Sequence, residues 1–82
     1  MKSWRIKSKT IDVINVYADT PMEAATLLIE DLNRDSRIEV VNRIFNLDKK
    51  IECTDNTNNK FILSTSDVLA NAGLYGYIKN VA

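Results

Sequence analysis

TPMEAATLLIEDLN, residues 20–33, carries the strongest structural signal in the chain. Thr20 reads as an N-cap, Pro21 as the first helical residue and Glu23 as the returning partner of a capping box. An N-cap residue is extended, so Thr20 tolerates the proline after it. Met22, Ala25, Leu28, Ile29 and Leu32 then recur at helical spacing and form one apolar stripe. Glu30 and Arg34 stand at the favourable four-residue spacing, worth roughly 0.2–0.5 kcal/mol. The helix is predicted to end near Asn33.

Outward from this helix the chain reads as strands. RIEVVNRIFNL, residues 37–47, places Ile38, Val40 and Ile44 on one parity and Val41, Phe45 and Leu47 on the other. After the short turn DKK come KIECT and KFILS, joined by DNTNN, whose short polar side chains favour turns. Residues 38–64 are thus predicted as an antiparallel meander. Upstream, residues 3–18 read as extended structure, rich in β-branched residues and tyrosine. Trp4, Ile6, Ile14, Val16 and Ala18 share one parity, whereas Ile11, Val13 and Tyr17 take the other. The second half of this stretch is therefore expected to be covered on both faces. The break near residues 8–10 is a bulge, or a turn that makes two strands.

STSDVLANAGL is a second, shorter helix. Ser64 or Ser66 caps it, Asp67 sits in its positive first turn, and Gly73 with Leu74 provides a Schellman ending against Leu69. A last strand, LYGYIK, completes the order β–α–β–β–β–α–β. The expectation is one α+β domain over residues 1–82, a mostly antiparallel sheet with one long and one short helix.

A helix of about 12 residues is roughly 18 Å long and covers one sheet face. Two predicted strands are apolar on both parities, so a further apolar face needs cover. A second copy packed by two-fold symmetry would supply it, and so would a curled sheet that encloses both faces.

Composition narrows the function. Eleven basic residues balance eleven acidic ones, which argues against a polyanion mimic and against a generic nucleic-acid binder. The single cysteine, Cys53, forbids an internal disulfide and suits a reducing compartment. No run approaches the roughly 20 apolar residues of a membrane span, and the N-terminus has no signal-peptide core. The expected location is the cytoplasm. There is no histidine and no glutamine, against nine asparagines, seven lysines and nine isoleucines. That bias matches A/T-rich codons and points to an A/T-rich genome, such as many phages or some bacteria carry.

No catalytic, metal or cofactor site is legible. Without histidine, Cys53 lacks its usual activating base and reads as a small buried hydrophobe. DNTNN lacks the glycine and terminal glutamate of a calcium-binding loop. Asp67 already occupies the anion niche at the second helix, and neither glycine belongs to a phosphate loop.

The expectation is a small non-catalytic protein that binds another macromolecule, a protein partner above all, as a homo-oligomer. Its most concrete form is a phage-encoded or mobile-element accessory protein that binds or inhibits a host protein in the host cytoplasm. Trp4, Arg5, Tyr75, Tyr77 and Lys79 are the candidate contact residues, because aromatics and arginine dominate binding hot spots. The runner-up is single-stranded nucleic-acid binding through Arg5, Lys7 and Lys9. Trp4 lies on the opposite parity from these cations and Asp12 dilutes them, so edge-strand lysines that prevent aggregation are the plainer reading. Sequestration of a small ligand between subunits and a structural role in a virion are further alternatives.

Overall fold

The computed structural model describes residues 1–74, with the backbone alone described at 35–40, 42, 44 and 45. Six elements follow in order: β1 (Lys2–Lys7), β2 (Asp12–Ala18), α1 (Pro21–Leu47), β3 (Lys50–Asp55), β4 (Lys60–Ser64) and α2 (Thr65–Asn71). The strands form one sheet in the order β2-β1-β3-β4, and every neighbouring pair is antiparallel. The α+β class, the antiparallel sheet and the contrast of one long with one short helix agree with the sequence reading. The predicted last strand, LYGYIK, lies outside the described residues except for Leu74.

The break at residues 8–10 is a turn. Ser8 donates its backbone N–H to Ile11 at 2.8 Å, which closes a hairpin between β1 and β2. The bulge sits further on. Trp4 faces Val16 but Ile6 faces Val13, so one β1 residue opposes two on β2, and Asn15 takes a φ of 60°. This extra residue explains the imperfect alternation. Ile11 and Val13 turn inward before it, Val16 and Ala18 after it. Ile14 and Tyr17 are left 64% and 57% exposed, so the predicted cover on both faces of this stretch is not there.

α1 starts as its sequence dictates. Thr20 accepts from the Glu23 N–H through its side chain at 3.1 Å and from the Ala24 N–H through its carbonyl at 3.0 Å. Ala25, Leu28 and Ile29 of the predicted stripe are buried. Arg34 pairs with Asp31 at 3.0 Å rather than with Glu30. The helix does not stop at Asn33 but runs to Leu47, so the strand predicted over 37–47 is helix. Apolar residues on both strand parities also satisfy helical spacing, as Ile38, Val41 and Phe45 do at i, i+3 and i+7. No glycine or proline interrupts the stretch, and burial of Val41 outweighs its β-branched composition.

A straight helix of 27 residues would be about 40 Å long. Yet the Pro21 carbonyl lies 3.7 Å from Cys53 Sγ, and Leu47 precedes Cys53 by only six residues. That connection limits the separation of the helix ends to about 30 Å. The helix is therefore bent.

The β3–β4 turn is built on Asp55. Its buried carboxylate accepts from the Thr57 N–H and hydroxyl at 2.9 and 2.8 Å and from the Asn59 N–H and side-chain amide at 2.9 and 3.2 Å. α2 ends as predicted. Gly73 adopts a φ of 74°, its N–H reaches the Ala70 carbonyl, and the Leu74 N–H reaches the Leu69 carbonyl at 2.9 Å. The Ser64 side chain occupies the N-cap position without making a cap hydrogen bond. Buried apolar side chains from β1, β3, α1 and α2 form one cluster, including Trp4, Ile6, Ile29, Ile51 and Leu69.

Candidate binding face

Alternation along β1 and β3 sorts side chains onto two surfaces. Trp4, Ile6, Ile51 and Cys53 enter the core beneath α1, while Arg5, Lys7, Lys50, Glu52 and Thr54 take the other side. Cross-strand register groups them. Arg5 stands opposite Thr54, which stands opposite Lys60, and Lys7 stands opposite Glu52, which stands opposite Ile62. The second face of the sheet is therefore polar. One of the two strands predicted to be apolar on both faces, residues 37–47, belongs to α1 instead.

Two shallow hollows lie side by side on this face, about 580 and 640 Å³ in volume. Lys7, Glu52 and Lys60 border both; Arg5, Thr54, Asp55 and Asn58 complete one, Ser8, Lys9, Lys50 and Ile62 the other. Glu52 lies amid these cations, 3.5 Å from Lys60 Nζ, and Asp55 in the first hollow and Asp12 opposite Lys7 are further carboxylates beside them. Arg5 makes a two-pronged contact with Asp12, Nε to Oδ1 at 2.9 Å and NH2 to Oδ2 at 2.8 Å. That hydrogen bond first, and the charge behind it, raise the arginine pKa and hold the Asp12 carboxyl below its ordinary range. Lys7, Lys9 and Lys50 make no salt bridge among the described residues. Glu23, Glu30 and Asp31 are exposed on α1 with Arg34 and Arg43, while exposed Asp12 stays on this face beside Arg5 and Lys7. The face still carries more cations than carboxylates in a chain whose totals balance.

The expected contact residues scatter. Trp4 is only 1% exposed, its indole N–H bonded to the Ala18 carbonyl at 2.9 Å, so its ring cannot meet a partner. Arg5 is exposed on the open face. Tyr75, Tyr77 and Lys79 lie outside the described residues. Lys7 and Lys9, the other cations of the runner-up reading, are exposed beside Arg5. Sequence reasoning missed Lys50, Lys60, Glu52 and Thr54. Their alternation with Ile51 and Cys53 was the available signal, but the pairing of β1 with β3 was not.

A third hollow, about 390 Å³, follows the β2 edge and α1. It is lined by Ile14, Tyr17 and Leu27, all substantially exposed, with Val13, Val16 and Leu28 beneath.

Other reactive groups are tied into the fold. Burial first, and then nearby Glu52, push the Cys53 thiol up to about 11. Asp48, buried after α1, accepts from the Ser8 hydroxyl at 2.6 Å and from the Thr10 hydroxyl and N–H, which fastens the β1–β2 hairpin to the helix end. Among the described residues no cluster of three or more cysteine and carboxylate side chains is placed to hold a metal ion, and no helix is long and apolar enough to cross a membrane. The chain matches no family model, no curated protein and no solved structure.

Proposed function

We propose that this chain is a non-catalytic binding protein whose uncovered sheet face docks a polyanionic macromolecule. The observation that carries the reading is the gathering of Arg5, Lys7, Lys9, Lys50 and Lys60 around two open hollows, in excess of the Asp12, Glu52 and Asp55 carboxylates beside them. A local excess of cations attracts polyanions even where net charge is zero. The hollows are broad and shallow, a form suited to a macromolecular surface rather than to an enclosed small substrate. Unpaired, buried Cys53 fits work in a reducing compartment such as the cytoplasm.

The test is retention on immobilised heparin at low salt and neutral pH. The protein should be retained, Lys7→Glu should elute at clearly lower salt, and Arg34→Glu, an equal charge change on α1, should elute like the wild type. Passage of the wild-type protein through the matrix would remove the reading.

A second reading is a protein partner, a host protein or another copy of this chain, as an accessory protein encoded by a phage would use. Exposed Ile14, Tyr17 and Leu27 along one hollow favour it. Tyr17→Ser with Leu27→Ser should lower the native mass or abolish capture if that hollow is the interface; unchanged mass and capture would exclude it.

A further inference from the structure

We infer that the uncovered sheet face is a track for single-stranded nucleic acid, with phosphates along the cations of β1 and bases lying across toward β4. The inference rests on the polyanion-docking reading and adds the class of partner. Arg5 and Lys7 are two residues apart on one face of a strand, so their charges repeat at about 6.7 Å, with the Arg5 guanidinium held by Asp12 in the free protein and Lys7, Lys9, Lys50 and Lys60 left as the four cations open to phosphates. Lys9 lies beyond Arg5 and Lys7 at the hairpin, beside the same hollow as Lys7. A row of this repeat suits the successive phosphates of an extended strand. Lys60 stands two strands across, about 10 Å away. Between β1 and Lys60, β3 presents the Thr54 hydroxyl and the Glu52 carboxylate with Lys50 at its start, and exposed Ile62 adds an aliphatic surface on β4.

Duplex fits the same surface poorly. The major groove is about 12 Å wide and admits a helix or a two-stranded ribbon. Four paired strands, spaced about 4.8 Å apart, are too broad to enter it, and an unstacked strand can lie flat across them.

Glu52 gives the track a preference. A carboxylate between the β1 cations and Lys60 repels phosphate and accepts hydrogen bonds from base amino groups, as acidic side chains do from cytosine. Thymine has no amino group to offer. Strands of cytosine should therefore bind more tightly than strands of thymine. The described residues place no aromatic side chain at the centre of the face, so stacking adds little and the affinity is mainly electrostatic.

The experiment is fluorescence anisotropy with short labelled oligonucleotides of cytosine, of thymine and of mixed-sequence duplex, beside the heparin retention described above. With about four phosphates neutralised, single-strand affinity should fall roughly 50-fold between about 50 and 200 mM salt. Lys7→Glu should weaken binding about tenfold or more and Arg34→Glu should not, with both variants shown folded by circular dichroism. Glu52→Gln should tighten thymine strands more than cytosine strands and so shrink the preference. Duplex bound as tightly as single strands, or heparin retention without single-strand binding, would overturn the inference and leave the polyanion reading standing. Failure to bind both would remove the two together. Equal affinity for cytosine and thymine strands would overturn the role given to Glu52.

Discussion

The indole N–H of Trp4 donates to the carbonyl of Ala18 at 2.9 Å, across the β1–β2 pair. The same ring meets Phe61 of β4 edge to face, with centroids 5.8 Å apart. One side chain of β1 thereby touches both edge strands of the sheet. Its neighbour Arg5 leaves by the opposite face. The aromatic and the cation that stand together in the opening sequence serve different surfaces, one the core and the other the solvent.

Replacing Trp4 should cost stability and spare binding. Trp4→Phe strands the Ala18 carbonyl without its side-chain donor, at about 1–3 kcal/mol. Trp4→Ala adds a cavity, for a total of about 3–5 kcal/mol. Urea titrations followed by circular dichroism will rank the two. Folded Trp4→Phe should still leave heparin at the wild-type salt concentration. Earlier elution would return Trp4 to the contact surface.

Asp55 gives the fold an acid-sensitive turn. Burial acts to raise its carboxyl, but the hydrogen bonds from Asn59 and Thr57 outweigh it and hold the group well below the usual carboxylate range. A depressed carboxylate contributes stability that is fully present above its unfolded value, about 3.9, and is lost as pH falls through the folded one. The gap in melting temperature between wild type and Asp55→Ala should be about 5–10 °C at neutral pH. It should narrow steadily below about pH 4. A gap that stays constant into acid would show that the carboxylate charge does not support the turn.

Cys53 should be inert in the folded protein. Its thiol is buried and pushed up to about 11, so at pH 8 about one molecule in a thousand carries the reactive thiolate. A chromogenic disulfide reagent should label it only on the timescale of unfolding, and at once in concentrated denaturant. Rapid labelling of the native protein would place the sulfur outside the core.

Local features of the fold were legible and distant ones were not. Thr20, Gly73 and the DNTNN turn act on chain within a few residues of themselves, so their residue types alone predict the helix start, the helix end and the hairpin. Residues 37–47 satisfy strand and helical spacing together, and what decides between them is the burial of Val41 against the rest of the core. The bulge at Asn15 shifts inward-facing positions from odd to even, which looks in sequence like a strand buried on both sides. The candidate face depends on β1 lying beside β3, which brings Lys7 opposite Glu52 from 45 residues away. Balanced composition hides the result, since net charge records no positions.

The Arg5–Asp12 pair separates a binding arginine from a structural one. Both side chains are about half exposed, and such pairs add little to stability. Asp12→Asn should therefore shift the melting temperature by less than about 2 °C. Its effect on the face is larger, because the guanidinium loses its charged partner and becomes available to a phosphate. Single-strand affinity at low salt should rise severalfold, and the dependence of log affinity on log salt should steepen by about 0.7, the increment of one more phosphate contact. A rise in affinity with an unchanged slope would mean that Asp12 only repels the ligand at a distance. An unchanged affinity would place Arg5 outside the track and leave Lys7, Lys9, Lys50 and Lys60 to hold the strand.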